Sequence, residues 1–354
     1  MSTPSSNPAP NPAAPAAAVQ AGAAKSVPTF KDFVIKFGLL IILAVMIVVF
    51  WRLEPAFANA RNMFSILQAV SVTALLALGV TVTLAIAGFD LSIGSTAAMS
   101  LMASSYVMVI LNQGTLLAVL VCLLLGAFIG FLNGVLIVKG RIPDLLATLG
   151  MMFLLLGLQL IPTGGRSIAK GMTLSDGSAA TGSFTDAFLA LGRYRLFDLI
   201  PLPVIIMLVA AVILWVFMER SRYGRVLYAI GGNEKATRLA GAPVERYKIA
   251  AYMISGLFAS IGGILLAARV GRGDVTSGSS LLLDSVAAAL IGYAVLGAKK
   301  PNVFGTAVGA LFVGTLLNGL TMLNAPYYAQ DFVKGLVLVF ALLFTFGFAS
   351  SQRR

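Results

Sequence analysis

The chain has no histidine and a single cysteine, Cys122, among its 354 residues. These shortages remove zinc clusters, Cys–His nucleophilic pairs and any intrachain disulfide. No G-x-x-x-x-G-K-[ST] stretch occurs, so the chain hydrolyses no nucleotide by the P-loop route. Any ATP-driven step therefore needs a partner. Charge is scarce as well, at 11% of residues, and no paired carboxylates suggest an intramembrane enzyme. No catalytic residue and no metal ligand is expected.

What is present is apolar. Hydrophobic residues make up 59% of the chain, the mean hydropathy is +0.95, and apolar runs recur near the roughly 20 residues that cross a bilayer. The expected fold is all-α, a multi-pass membrane protein rich in glycine for close helix contacts in lipid. The net charge of +12 resides in loops beside apolar runs, where orientation in the membrane accounts for it. No nucleic-acid partner is expected.

Residues 1–29 are rich in Pro, Ala, Ser and Asn and read as a disordered tail. A transmembrane domain follows over 30–349, then a short tail, 350–354. About ten spans are expected, near 33–53, 63–87, 94–110, 115–138, 145–162, 199–219, 248–268, 284–298, 303–324 and 331–349, the first an uncleaved span. With both termini inside, cytoplasmic segments hold 16 Lys and Arg and the opposite side eight. That choice places the 163–198 loop outside and the polar island 219–248 inside.

The island carries seven basic and three acidic residues. Within it, Asn233 can cap a short helix, Glu234 and Arg238 form an i, i+4 pair, and Gly241 with Pro243 ends it. A helix of about two turns is marginal alone, so Ala236, Leu239 and Ala240 are expected to dock against something else.

The two halves look alike. Asp90 opens a small-residue span followed by GAFIGFLNG, Gly126 to Gly134; Asp284 opens SVAAALIGYAVLG followed by GALFVGTLLNG, Gly309 to Gly319. Five spans separate the equivalents, so the copies point in opposite directions and the solute path lies between them. In GFDLSIGS, Gly88 to Ser95, Gly88, Phe89, Asp90, Ser92 and Ser95 interrupt an apolar run. Asp90 either caps the next helix or lines the path, and Asp284 with Ser285 takes the same two readings. Asn133 and Asn318 are placed to hydrogen-bond between helices.

GFDLSIGS resembles the corresponding stretch of bacterial ABC-type sugar permeases of the ribose, xylose, arabinose and galactose group. AIGGNEKATRLAGAPVERYKI, Ala229 to Ile249, resembles that family's cytoplasmic coupling segment, and Leu281 to Leu320 continues the likeness in order. Phe89 and Lys299-Lys300-Pro301 depart from the family's usual residues. The resemblance implies an inner-membrane permease subunit acting as a homodimer or beside a close paralogue, with an ABC ATPase and a periplasmic solute-binding protein. It would import a monosaccharide or related polyol, with no cofactor in this chain and with ATP and Mg bound by the ATPase. Gly231, Gly232, Asn233, Glu234, Ala236, Thr237, Arg238, Leu239 and Gly241 would form the helix that sits on the ATPase. A gradient-driven carrier using Asp90 and Asp284 is the alternative.

Overall fold

The computed structural model describes residues 30–174, 176–294 and 300–342. Ten helices overlap the ten expected spans: α1 (Phe30–Leu53), α2 (Ala60–Ala85), α3 (Ile93–Ser105), α4 (Thr115–Val138), α5 (Asp144–Leu158), α7 (Leu202–Trp215), α10 (Val244–Val270), α11 (Gly278–Ala294), α12 (Val303–Met322) and α13 (Tyr327–Leu342). Three short helices lie between them: α6 (Asp186–Arg193), α8 (Arg222–Gly232) and α9 (Glu234–Leu239). Seven of the elements, counted with their terminal turns, are long and apolar enough to cross a membrane among the described residues. The 1–29 tail, the tail 350–354 and the end of the last expected span lie outside the described residues.

Local chemistry sets the ends. Asn59, Asn302, Thr185 and Ser221 cap α2, α12, α6 and α8 by accepting backbone N–H bonds, and Gly271 ends α10 at φ +74°. One expected boundary is wrong. The span placed at 284–298 begins at Gly278, so Asp284 lies nearly two turns inside α11 and neither opens nor caps it. Serine and apolar residues from 279 to 283 continue the helix without a break, which the polar look of Thr276 to Ser280 concealed.

The packing has a pseudo-twofold pattern. α4 lies along α10 as α12 lies along α2, α3 packs on α10 as α11 packs on α2, and α5 stands beside α3 as α13 stands beside α11. Five crossings separate α2 from α10, so the two sets run in opposite directions. α4 and α10 approach closely because Gly126 and Gly130 face the backbone at Gly256 and Tyr252, where a methyl group would collide with carbonyl oxygens. Buried hydroxyl pairs add polar contacts across helices: Thr81 with Thr306 at 2.6 Å and Ser100 with Ser260 at 2.7 Å.

The two ends of the bundle differ. At one end α8 and α9 gather with the 86–92 turn, the 139–144 connection and Lys300, which pairs with Glu219 at 2.9 Å. At the other end Arg193 of α6 donates to the carbonyl oxygens of Arg269 and Val270, the last of α10. There too a two-stranded ribbon, β1 (Arg195–Leu196) and β2 (Ile200–Pro201), leads into α7.

Candidate functional site

The island holds more structure than one capped helix. α8, unforeseen in the sequence, buries Gly224, Leu227 and Ile230 on one face, and Ser221 caps it. Its Gly231-Gly232 ending reads as a breaker in the sequence, yet both glycines are helical. Gly231 lies so close to Ala85 that a Cβ would collide with the Ala85 carbonyl oxygen, whereas a Cβ on Gly232 would meet no neighbouring element within 4 Å.

α9 follows at once. Asn233 Oδ1 accepts from the Ala236 N–H at 3.0 Å, Thr237 Oγ1 donates to the Asn233 carbonyl, and Gly241 stops the helix at φ +86°. A chain of ion pairs fixes its orientation. Glu234 meets Arg238 at 3.1 Å and Lys248 at 2.8 Å, and Glu245 meets Lys139 at 2.9 Å with Arg238 at 3.8 Å. The Lys248 ammonium, assisted by Arg238, holds the Glu234 carboxyl below the usual carboxylate range, so these pairs persist at neutral pH. Exposed pairs of this kind add little stability singly, and their role is to aim the helix. α9 buries no residue, and Leu239 is 90% exposed, with Ala236 and Ala240 also outward.

Beside α9 opens a pocket of about 460 Å³, lined among others by Gly88, Arg141, Asp144, Arg238 and Tyr252. Its inner wall is the turn between α2 and α3. Three other helices grip that turn. From α5, Asp144 Oδ2 accepts the Phe89 N–H at 2.6 Å and Thr148 Oγ1 accepts the Leu91 N–H at 3.2 Å. From α10, Ser255 Oγ donates to Asp90 Oδ2 at 2.8 Å. From α4, Asn133 Nδ2 donates to Ser92 Oγ at 2.8 Å.

Asp90 is 2% exposed, and its other oxygen accepts both the N–H and the hydroxyl of Ser92, at 2.9 and 2.7 Å. Ser92, not Asp90, occupies the cap position of α3. Ser95 Oγ donates back to the Ser92 carbonyl. Gly88 faces the Tyr252 hydroxyl, which a side chain there would strike.

The structure thus brings Gly88, Phe89, Asp90, Ser92, Ser95 and Asn133 together, beside the island. Asp284 and Asn318 are elsewhere, toward the opposite end of the bundle. Asn318 Oδ1 accepts from Asn62 at 3.1 Å, and Asp284 faces Lys334 of α13 at 3.4 Å. Thr148, Tyr252 and Ser255 carry no signal in the sequence, because each is a single polar interruption of an apolar run. Asp144 alone carried a signal, as an acid directly after Pro143 at a helix start.

A family described as branched-chain amino acid transport system / permease component matches residues 62–342. The chain is 39% identical over 305 residues to the ribose import permease protein RbsC of Escherichia coli strain K12, covering 86% of this chain and 91% of that protein. It is 35% identical over 317 residues to the ribose import permease protein RbsC of Bacillus subtilis strain 168, covering 89% and 94%. It is 31% identical over 316 residues to the D-allose transport system permease protein AlsC of Escherichia coli strain K12, covering 88% and 92%. No solved structure matches.

Proposed function

The chain belongs to the branched-chain amino acid transport system / permease component family, and on that premise we propose that it is the membrane-spanning subunit of an ATP-binding-cassette importer for a monosaccharide. It resides in the bacterial inner membrane. The observation that carries this reading is α9: a capped helix, aimed by ion pairs, that leaves Leu239 90% exposed at the end of the bundle. Burying one such side chain contributes about 2 kcal/mol, and an unpartnered two-turn helix is marginal, so a docking partner accounts for both.

That partner is an ABC ATPase, which holds ATP and Mg; this chain carries no cofactor and catalyses no reaction. Ala236, Leu239 and Ala240 meet the ATPase, and Asn233, Glu234, Thr237, Arg238 and Gly241 shape and orient the helix. Gly231 and Gly232 join it to α8. A periplasmic solute-binding protein delivers the sugar at the opposite end, and a second permease copy, the same chain or a close paralogue, completes the membrane unit within the lipid. The turn carrying Gly88, Phe89, Asp90, Ser92 and Ser95, with Asn133, relays motion of the coupling end to α3, α5 and α10. Against a gradient-driven carrier stands the state of its two acids. Asp90 spends its oxygens on Ser92 and Ser255, and Asp284 faces a lysine, so neither is an open cation site.

Proteoliposomes containing the chain, its co-purified ATPase and binding protein test this with radiolabelled D-ribose. Uptake is expected to need MgATP on the ATPase side, falling about tenfold or more without it, and to change less than about twofold when an uncoupler collapses ion gradients. Uptake that persists without ATP and collapses with the gradient would overturn the proposal.

A further inference from the structure

The pair formed by Asp284 and Lys334 has an unusual geometry for its place. Asp284 is the seventh residue of α11 and Lys334 the eighth of α13. At about 1.5 Å per residue both lie roughly 10 Å in from the end opposite the island. Their side chains are 12% and 19% exposed, so the charges are withdrawn from both lipid and bulk water. A buried ion pair is stable only when its contacts are short and its remaining donors and acceptors are used.

This one lacks the short contacts. Lys334 Nζ stands 3.4 Å from Asp284 Oδ1 and 3.5 Å from Asp331 Oδ1, beyond the 2.7 to 2.9 Å of a charge-assisted hydrogen bond. Among the described residues Asp284 Oδ1, the oxygen that faces Lys334, is buried without a hydrogen-bond partner. The Lys139–Glu245, Glu234–Lys248 and Glu219–Lys300 pairs close at 2.9, 2.8 and 2.9 Å, while the exposed Arg238–Glu245 contact stays at 3.8 Å. The first-half carboxylate Asp90 offers the contrast, since it accepts three short bonds from its own chain. An acceptor and a three-donor ammonium are therefore held side by side without closing on each other.

We propose that Asp284 and Lys334 form a contact for solute hydroxyl groups in the outer part of the path, beside α11 and α13. A hydroxyl donates to the carboxylate and accepts from the ammonium at once, and a sugar carries several such groups. Asp331, one turn outward on α13 and exposed, marks the approach. The inference rests on the sugar-importer reading above and extends it to the residues that touch the solute.

The test uses the reconstituted complex with D-ribose as probe. Asp284→Asn and Lys334→Met are expected to lower ATP-driven uptake about tenfold or more, with complex yield and basal ATP hydrolysis within about twofold of wild type. The charge-exchanged double variant Asp284→Lys/Lys334→Asp is expected not to restore uptake. Restoration above half of wild type would overturn the proposal, because a helix fastener tolerates exchange and a stereospecific contact does not. Indifferent single variants would overturn it too.

A second measurement needs no variant. In the wild-type complex, millimolar D-ribose is expected to slow modification of Asp284 by a water-soluble carbodiimide, read by peptide mass, where equimolar glycine betaine does not. No reaction at Asp284, or reaction indifferent to ribose, would overturn the proposal. If the wild type itself imports no ribose, xylose or allose, the sugar-importer reading fails; wild-type uptake with indifferent variants fails only this contact.

Discussion

Replacing Gly231 by alanine is expected to lower ATP-driven uptake on the order of tenfold, while Gly232→Ala leaves it within about twofold of wild type. The two glycines are adjacent in α8, and alanine improves the helix propensity of either by about 0.5 to 1 kcal/mol. Only their surroundings differ. A methyl on Gly231 runs into the carbonyl oxygen of Ala85, the last residue of α2, whereas a methyl on Gly232 meets open space. A carbonyl oxygen in a helix end cannot rotate aside, so α8 must lift from the 86–92 turn. Overpacking of this kind typically costs about 1 to 3 kcal/mol, which spans the stated loss. ATPase binding should survive, because the outward residues of α9 are untouched. The expected signature is a complex of normal composition that hydrolyses ATP and moves little sugar. Equal effects of the two alanines would contradict the role given to the α8–turn contact.

Asp90 gives the second large effect, and its sign separates two mechanisms. Asp90→Ala leaves the Ser92 N–H, the Ser92 hydroxyl and the Ser255 hydroxyl without their common acceptor in a buried site. Each orphaned donor costs about 1 to 3 kcal/mol, so monodisperse protein in mild detergent is expected to fall to about a tenth of wild type or less. Asp90→Asn keeps one oxygen for Ser92 and turns its amide toward the Ser255 oxygen. Near-normal yield and uptake within about threefold are expected. A carrier that moved cations on Asp90 would show the reverse pattern in the asparagine variant, with good yield and no gradient-driven uptake. Size-exclusion yield and uptake, measured together, decide between them.

The spans were legible because bilayer thickness imposes a length that any apolar run reveals, and nine of the ten expected spans fall on helices near their expected places. The α11 start was not, because small polar residues such as Thr276 and Ser280 fit a loop as easily as a membrane helix. α9 was legible through Asn233, Glu234, Arg238 and Gly241, each of which acts within its own turn. α8 was hidden because Gly231 and Gly232 suggest a stop, and the reason they sit there is the nearness of Ala85, far away in sequence. The partners of Asp90 were hidden for the same reason. Ser255 lies 165 residues away, and nothing local to it announces the bond. Local chemistry is written in neighbouring residues; the grip of α4, α5 and α10 on one turn exists only after the halves have packed.

The most direct test of the central claim is to purify the tagged chain from its own host in mild detergent and identify what accompanies it, as wild type and as Leu239→Glu. Leu239 is 90% exposed and makes no contact that shapes the permease, so the substitution alters the docking surface and leaves the fold intact. An ABC ATPase should accompany the wild type and fall about tenfold or more in the variant, because a carboxylate buried in an apolar seat goes unpaired. Absence of any ATPase from the wild type, in several detergents and with nucleotide present, would contradict the account, as would an ATPase that stays bound to Leu239→Glu at wild-type level.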